Sequence, residues 1–150
     1  MYLPKDLQQY LHIKIPITQA MGIQVTRLDA QGLGISAPLA LNINDKYTAF
    51  GGSLAAIMTV TGWGLTHALI QQAGATANTL VYQTQITYLN PVTQDIYAWC
   101  QLPDKAIVDL FLDHFFQRGK ARWELQVQVL TVENTVAVQL TGGYVALKTN

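Results

Sequence analysis

Apolar and polar side chains alternate most cleanly over ARWELQVQVLTV (121–132). Trp123, Leu125, Val127 and Val129 fall on one side, with Glu124, Gln126 and Gln128 on the other. A period of two marks a strand with one face buried and one in water. Runs rich in β-branched and aromatic residues predict further strands over TLVYQTQITYL (79–89) and DIYAWCQL (95–102), with Asn90-Pro91 as the turn that makes the second the return of the first. After the Glu133-Asn134 turn, TVAVQLTGGYVALK (135–148) is the last strand, and Gly142-Gly143 marks a bulge or a close approach of backbone. Earlier, Ile23 and Val25 begin a strand, Asp29 to Gly32 is turn-like, and Leu33 to Leu39 returns, giving an antiparallel pair.

Helical spacing appears in three places. Leu7 and Leu11 share a face over 5–12, and Pro16 ends any helix there. Ile107, Leu110, Phe111 and His114 predict a helix within 103–117, broken by Gly119. Between them, residues 47–70 carry no charge. Gly51-Gly52-Ser53 opens a helix there, with Ser53 as its N-cap, running to about Gln72 and stopped by Gly74. This run is long enough to span a bilayer. Thr59, Thr61, Thr66, His67 and four glycines interrupt it, however, and charged anchors do not bracket both ends. A helix apolar on most faces is expected inside its own protein, so no membrane partner is expected. The element order predicts an α+β fold in one domain over 1–150: a curved antiparallel sheet wrapped around one long helix.

Composition changes this picture in one respect. Half the residues are hydrophobic and 12% are charged, so some apolar surface is expected to be covered in an oligomer. Nine Lys and Arg balance nine Asp and Glu, which leaves no positive field for nucleic acid. The single Cys100 can form no internal disulfide, and nothing around it has zinc spacing; with no signal-peptide pattern at the N-terminus, a cytoplasmic protein without metal or cofactor is expected.

Several words of the sequence carry a resemblance. Asn44-Asp45-Lys46-Tyr47-Thr48-Ala49-Phe50-Gly51-Gly52 is similar to the N-x-x-G-x-x-H-G-G signature of phenylacetyl-CoA thioesterase-like proteins. Tyr88-Leu89-Asn90-Pro91-Val92 resembles their Y-L-R-P-V, Gly119-Lys120 their G-R strand start, and Thr141-Gly142-Gly143-Tyr144 their T-G-T-Y. With Gly62-Trp63-Gly64 added, N-x-N-D-K-x-T-A-F-G-G-S resembles the hotdog thioesterase family typified by the C-terminal domain of YiiD. The resemblance implies a hotdog fold, pairing of sheets edge to edge into a homodimer or homotetramer, and an acyl-CoA or acyl carrier protein substrate bound at the start of the central helix. Phe50 stands where the better-known branch has His, and Thr59 where it has a catalytic Asp or Glu.

The chemistry can be assigned residue by residue. Backbone N–H groups of Gly51, Gly52 and Ser53 at the helix start suit a developing oxyanion, and glycine lets a carbonyl come close. The same glycines also suit a tight turn and close packing. Asp45 is the one carboxylate of the motif and the candidate base or nucleophile; an Asx turn is the structural alternative. Asn42 and Asn44 can hold a water or the thioester carbonyl, or serve as turn residues. Phe50 joins the substrate-binding candidates. Thr59 can position a water or bond back to its own helix. Arg118 and Lys120, with Arg122, form the one concentrated positive patch, suited to coenzyme A phosphates or to a solvated helix end. His12, His67 and His114 make no triad, and Cys100 reads as buried filler. A hydratase or dehydratase would want a His with a carboxylate. An acyl-thioester or fatty-acid binding module of the same fold, without turnover, is the other reading.

Overall fold

An uncharged helix is stable in water only when other elements cover it. The computed structural model, which describes residues 1–149, supplies that cover with a six-stranded antiparallel sheet. In chain order the elements are α1 (Pro4–Lys14), α2 (Ile17–Ala20), β1 (Gln24–Asp29), β2 (Gly32–Ala37), a 3-10 turn (Leu39–Leu41), α3 (Gly51–Gln72), β3 (Ala77–Tyr88), β4 (Ile96–Gln101), α4 (Lys105–Arg118), β5 (Lys120–Leu130) and β6 (Val136–Lys148). The strand order is β1-β2-β4-β5-β6-β3. This is the hotdog arrangement, with α3 as the filling. By length and composition α3 could cross a membrane, yet 67% of its apolar window is buried inside the protein.

The side chains explain the packing. On β5, Leu125, Val127 and Val129 are buried toward the helix, and Glu124 and Gln126 face out. Ile57, Met58, Leu65 and Ile70 of α3 meet that layer. Gly62 lies under the Tyr144 ring, where a Cβ would overlap the phenol, and the Tyr144 hydroxyl donates to the Thr59 carbonyl at 2.9 Å. Leu7 and Leu11 of α1 close the other side, with Asp6 capping its helix through Oδ2 to the Leu3 N–H at 2.7 Å.

Two expectations need correction. The runs 79–89 and 95–102 do not pair: β3 crosses to the far edge beside β6, and β4 lies between β2 and β5. Burial gives the reason. Ile96, Ala98 and Cys100 are fully buried and need cover from neighbours, whereas most of β3 is exposed, as an edge strand can be. The helix expected within 103–117 is present as α4, which turns Phe111 and Phe115 inward and leaves Ile107 and Leu110 half exposed. An i, i+4 phenylalanine pair dominates that face, and Phe111 stacks on Trp123 at 4.1 Å. The second correction is that Ser53 is not the N-cap. The Phe50 N–H is held by the Asn42 carbonyl at 2.7 Å, and Phe50 O accepts from Leu54 at 3.0 Å, so the helix starts at Gly51. At Gly142-Gly143 the close approach is real: the Tyr82 ring lies where a Gly143 side chain would be. The bulge itself is on the opposing strand, between Val81 and Gln83.

Candidate active site

The loop before α3 is organised by Asn44. Its Oδ1 accepts from the Lys46 and Thr48 N–H groups at 2.8 and 3.1 Å, and its Nδ2 donates to Thr48 Oγ1 at 2.9 Å. The Asx turn therefore belongs to Asn44, whose side chain is spent on the loop. Tyr47 closes the turn with φ of 63°. Asp45 is left out of this network. Its side chain is 82% exposed and touches Lys46 Nζ at 3.1 Å, a surface pair of little energetic weight. Within one chain its only side-chain partner among the described residues is that lysine.

Asn42 is buried. Its Nδ2 donates to the Met21 and Pro38 carbonyls, both at 2.9 Å, tying this loop to the N-terminal segment. Its Oδ1 is the one buried side-chain polar atom without a partner among the described residues.

At the helix start, the N–H groups of Gly51, Gly52 and Ser53 precede the first intrahelical bond, which Leu54 makes. The first residues of a helix leave such donors free, and the helix dipole adds partial positive charge. The Phe50 ring, 55% exposed, folds over Gly52, where any Cβ would collide with it. Glycine at 52 is thus required by the ring and leaves the backbone open once the ring moves. From the sheet, Tyr88 Oη donates to the Gly51 carbonyl at 3.0 Å, and the Ala49 N–H to the Val92 carbonyl at 2.8 Å. These ties fix the first turn against the end of β3. The sequence reading missed the role of Tyr88: a tyrosine at the end of an alternating strand gave no sign of whose carbonyl it would meet.

Thr59 lies two turns further along. The hydroxyls of Thr61 and Thr66 bond back to Ile57 and Gly62, at 2.7 and 3.0 Å; that of Thr59 has no partner among the described residues. The bond back to the helix that its spacing allowed is not made.

Arg118 and Lys120 are exposed and distant from this site within one chain. Lys120 pairs with Leu147 and lies near Ala77, whereas Gly51 is bonded to Tyr88 at the other end of β3. The 12 residues of β3 span roughly 35–40 Å.

The far half of α3 is the more deeply buried. His67 is buried, stacks on Trp63 at 4.9 Å and meets the Tyr10 ring at a tilt of 32° and 4.4 Å, and its Nε2 meets Tyr2 Oη at 3.2 Å. Burial pulls the imidazole pKa down to about 4 and pushes the Tyr2 phenol up to about 12. Cys100 is fully buried on β4, and burial pushes its thiol up to about 12. Neither side chain is poised for chemistry at neutral pH.

Known proteins share this arrangement. A structure of a protein of unknown function from Chlorobaculum tepidum TLS is 34% identical, with a TM-score of 0.93 over 97% of this chain and 94% of that one. A putative thioesterase from Shewanella oneidensis is 33% identical, with a TM-score of 0.86 over 96% of each chain. A probable thioesterase from Pseudomonas aeruginosa, 22% identical, shares the fold with a TM-score of 0.82 over 99% of each chain. The family described as "Putative thioesterase (yiiD_Cterm)" matches residues 4–148, and the chain belongs to it.

Proposed function

We propose that the protein hydrolyses acyl thioesters of coenzyme A or of acyl carrier protein at the start of α3. The observation that carries this reading is the set of three free N–H groups on a glycine-opened central helix, in a chain of a thioesterase family. Water adds to the thioester carbonyl carbon. The carbonyl oxygen takes the negative charge and is held by the N–H groups of Gly51, Gly52 and Ser53. The C–S bond then breaks, and the thiolate leaves and takes up a proton. Asp45 is the base that removes the proton of the water. Thr59, with its unengaged hydroxyl, orients that water, and Phe50 swings aside to admit the carbonyl and then covers it.

The working unit in this proposal is a homodimer, able to pair again into a tetramer. One edge of β3 is unpaired along its 12 residues and displays Leu80, Val81 and Tyr82, between 40% and 51% exposed. An unpaired, apolar strand edge invites another strand. Pairing β3 with its own copy about a twofold axis reverses the strand. The second copy's Arg118 and Lys120 then come to the end of the sheet where this chain's α3 begins. There they suit coenzyme A phosphates. Asp45, solvated in one chain, is then partly desolvated.

One observation favours the binding-module reading: α3 holds no carboxylate, and Asp45 is held only by Lys46. Thiol release from acyl-CoAs of graded length, with Asp45→Asn alongside, separates the two. A hydrolase using Asp45 loses turnover by about 10²-fold or more while its affinity for a non-hydrolysable thioether is kept. An unchanged rate in Asp45→Asn removes Asp45 from the chemistry. No release at any length, with the thioether still bound, supports the binding module.

A further inference from the structure

An apolar groove of about 390 Å³ runs along the side of α3, under the segment that links α1 to β1. Its floor is Ala55, Ala56 and Thr59, its roof is Ile17 and Met21, and Trp63 stands at its far end. No charged residue lines it. The Thr18 hydroxyl at its edge is spent on the Ile15 carbonyl at 2.8 Å, so Thr59 supplies the single unengaged hydroxyl.

The floor is low because two consecutive alanines sit where larger side chains would fill the space. The end is rigid because Trp63 is held from several sides. Its Nε1 donates to the Thr79 carbonyl at 2.7 Å, its ring stacks on His67 at 4.9 Å and 11°, and Tyr10 flanks both rings, 6.0 Å from Trp63 and 4.4 Å from His67. The groove begins one helical turn beyond the site already described: Ala56 lies four residues after Gly52, on the same face of α3.

We infer that this groove takes the acyl chain and that Trp63 is the wall that sets its length, making medium-chain acyl groups the preferred class. The inference rests on the thioester reading of the helix start. From Ser53 to Trp63 the helix rises about 15 Å. A terminal methyl stops about 3.5–4 Å short of the indole. An extended hydrocarbon advances about 1.3 Å per bond when its C–C bonds are ~1.5 Å and tetrahedral. Chains of about eight to ten carbons reach the wall, and longer ones meet it.

Two variants test this with acyl-CoAs from two to sixteen carbons and, separately, with S-alkyl-CoA thioethers that cannot be hydrolysed. Trp63→Ala opens the wall and moves the preferred length upward, by about tenfold in kcat/KM for every two methylenes newly admitted. Ala56→Phe fills the floor and moves it downward; it carries the test alone if Trp63→Ala fails to fold. Thioether affinity follows the same shifts, so the groove is tested even without turnover. No hydrolysis together with length-dependent thioether binding that moves in the variants upholds the groove and overturns the hydrolase reading. Hydrolysis with one unchanged length profile in the wild type and both variants does the reverse. A profile that stays fixed while Ala56→Phe breaks the dimer in sedimentation means that a second copy's side chains fill the groove, and overturns the inference.

Discussion

From Phe50 to Thr59 the central helix offers unengaged polar groups; from Thr61 to Ile70 it keeps almost none. At the front, three backbone N–H groups and one threonine hydroxyl have no partner among the described residues, and Gly52 is exposed. At the back, Thr61 and Thr66 bond to their own helix, Trp63 and His67 are engaged by the strands and by α1, and Trp123 donates to Thr66 Oγ1 at 3.0 Å. Both halves come from one uncharged run of sequence. Composition therefore does not distinguish a site from a scaffold here. What distinguishes them is whether polar groups have already been used.

Three experiments press on that contrast. The largest effect belongs to Gly51→Pro. Proline is tolerated at the first helical position, Phe50 before it is already extended, and a Cβ at Gly51 meets nothing nearer than 3.6 Å, so the substitution removes one donor while the fold stands. Thiol release should fall about 10²–10³-fold, with the denaturation midpoint little moved; a wild-type rate would show that the Gly51 N–H does not bind the oxyanion.

The next effect lies at the other end of the helix. His67 has its pKa lowered to about 4 by burial, below the ordinary 6.5. The unfolded chain therefore takes up a proton that the folded one refuses. Stability is full above pH 6.5 and falls as pH drops toward 4, by about 3 kcal/mol in all. Tyr2, Tyr10 and Trp63 face the ring, and none of them offers a negative charge in that range. Urea midpoints between pH 6.5 and 5, above the ordinary carboxylate range, should show this slope in the wild type and lose it in His67→Gln. Equal slopes would mean that the imidazole is hydrated.

The smallest effect is that of Tyr88→Phe, which frees the Gly51 carbonyl. It should cost about 1 kcal/mol of stability or less and lower kcat more than it alters KM, because it loosens the turn that aims the donors. A change in stability alone would make Tyr88 a strand residue with no bearing on the site.

The sequence made the interior more legible than the site. Trp123, Leu125, Val127 and Val129 declared β5 because a strand's period is set by its own backbone. Gly74 and Gly119 marked helix ends for a similarly local reason, and both take positive φ. Partners were harder. β3 reads as a strand by residue type, yet nothing within 79–89 says that its neighbour is β6, dozens of residues away. On α4, Ile107 and Phe111 are both apolar, and only the position of Trp123 decides which turns inward. At the site, Asn44 and Asp45 are adjacent and chemically alike as turn formers; the structure gives the turn to the asparagine and leaves the carboxylate outside it, paired with Lys46. Thr59 and Thr61 look equivalent until one is seen to be bonded and the other not. The helix start was legible because its free donors follow from where a helix begins, whatever packs around it.

Cys100 has a practical consequence. It is the chain's single cysteine, lies at the centre of the sheet beside β2 and β5, and is sealed from solvent. A thiol reagent can reach it only when those strands part. The rate at which native protein is alkylated is therefore a clock for the opening of the sheet itself. It reads the stability of the scaffold through a natural reporter, with no label added and no substrate required.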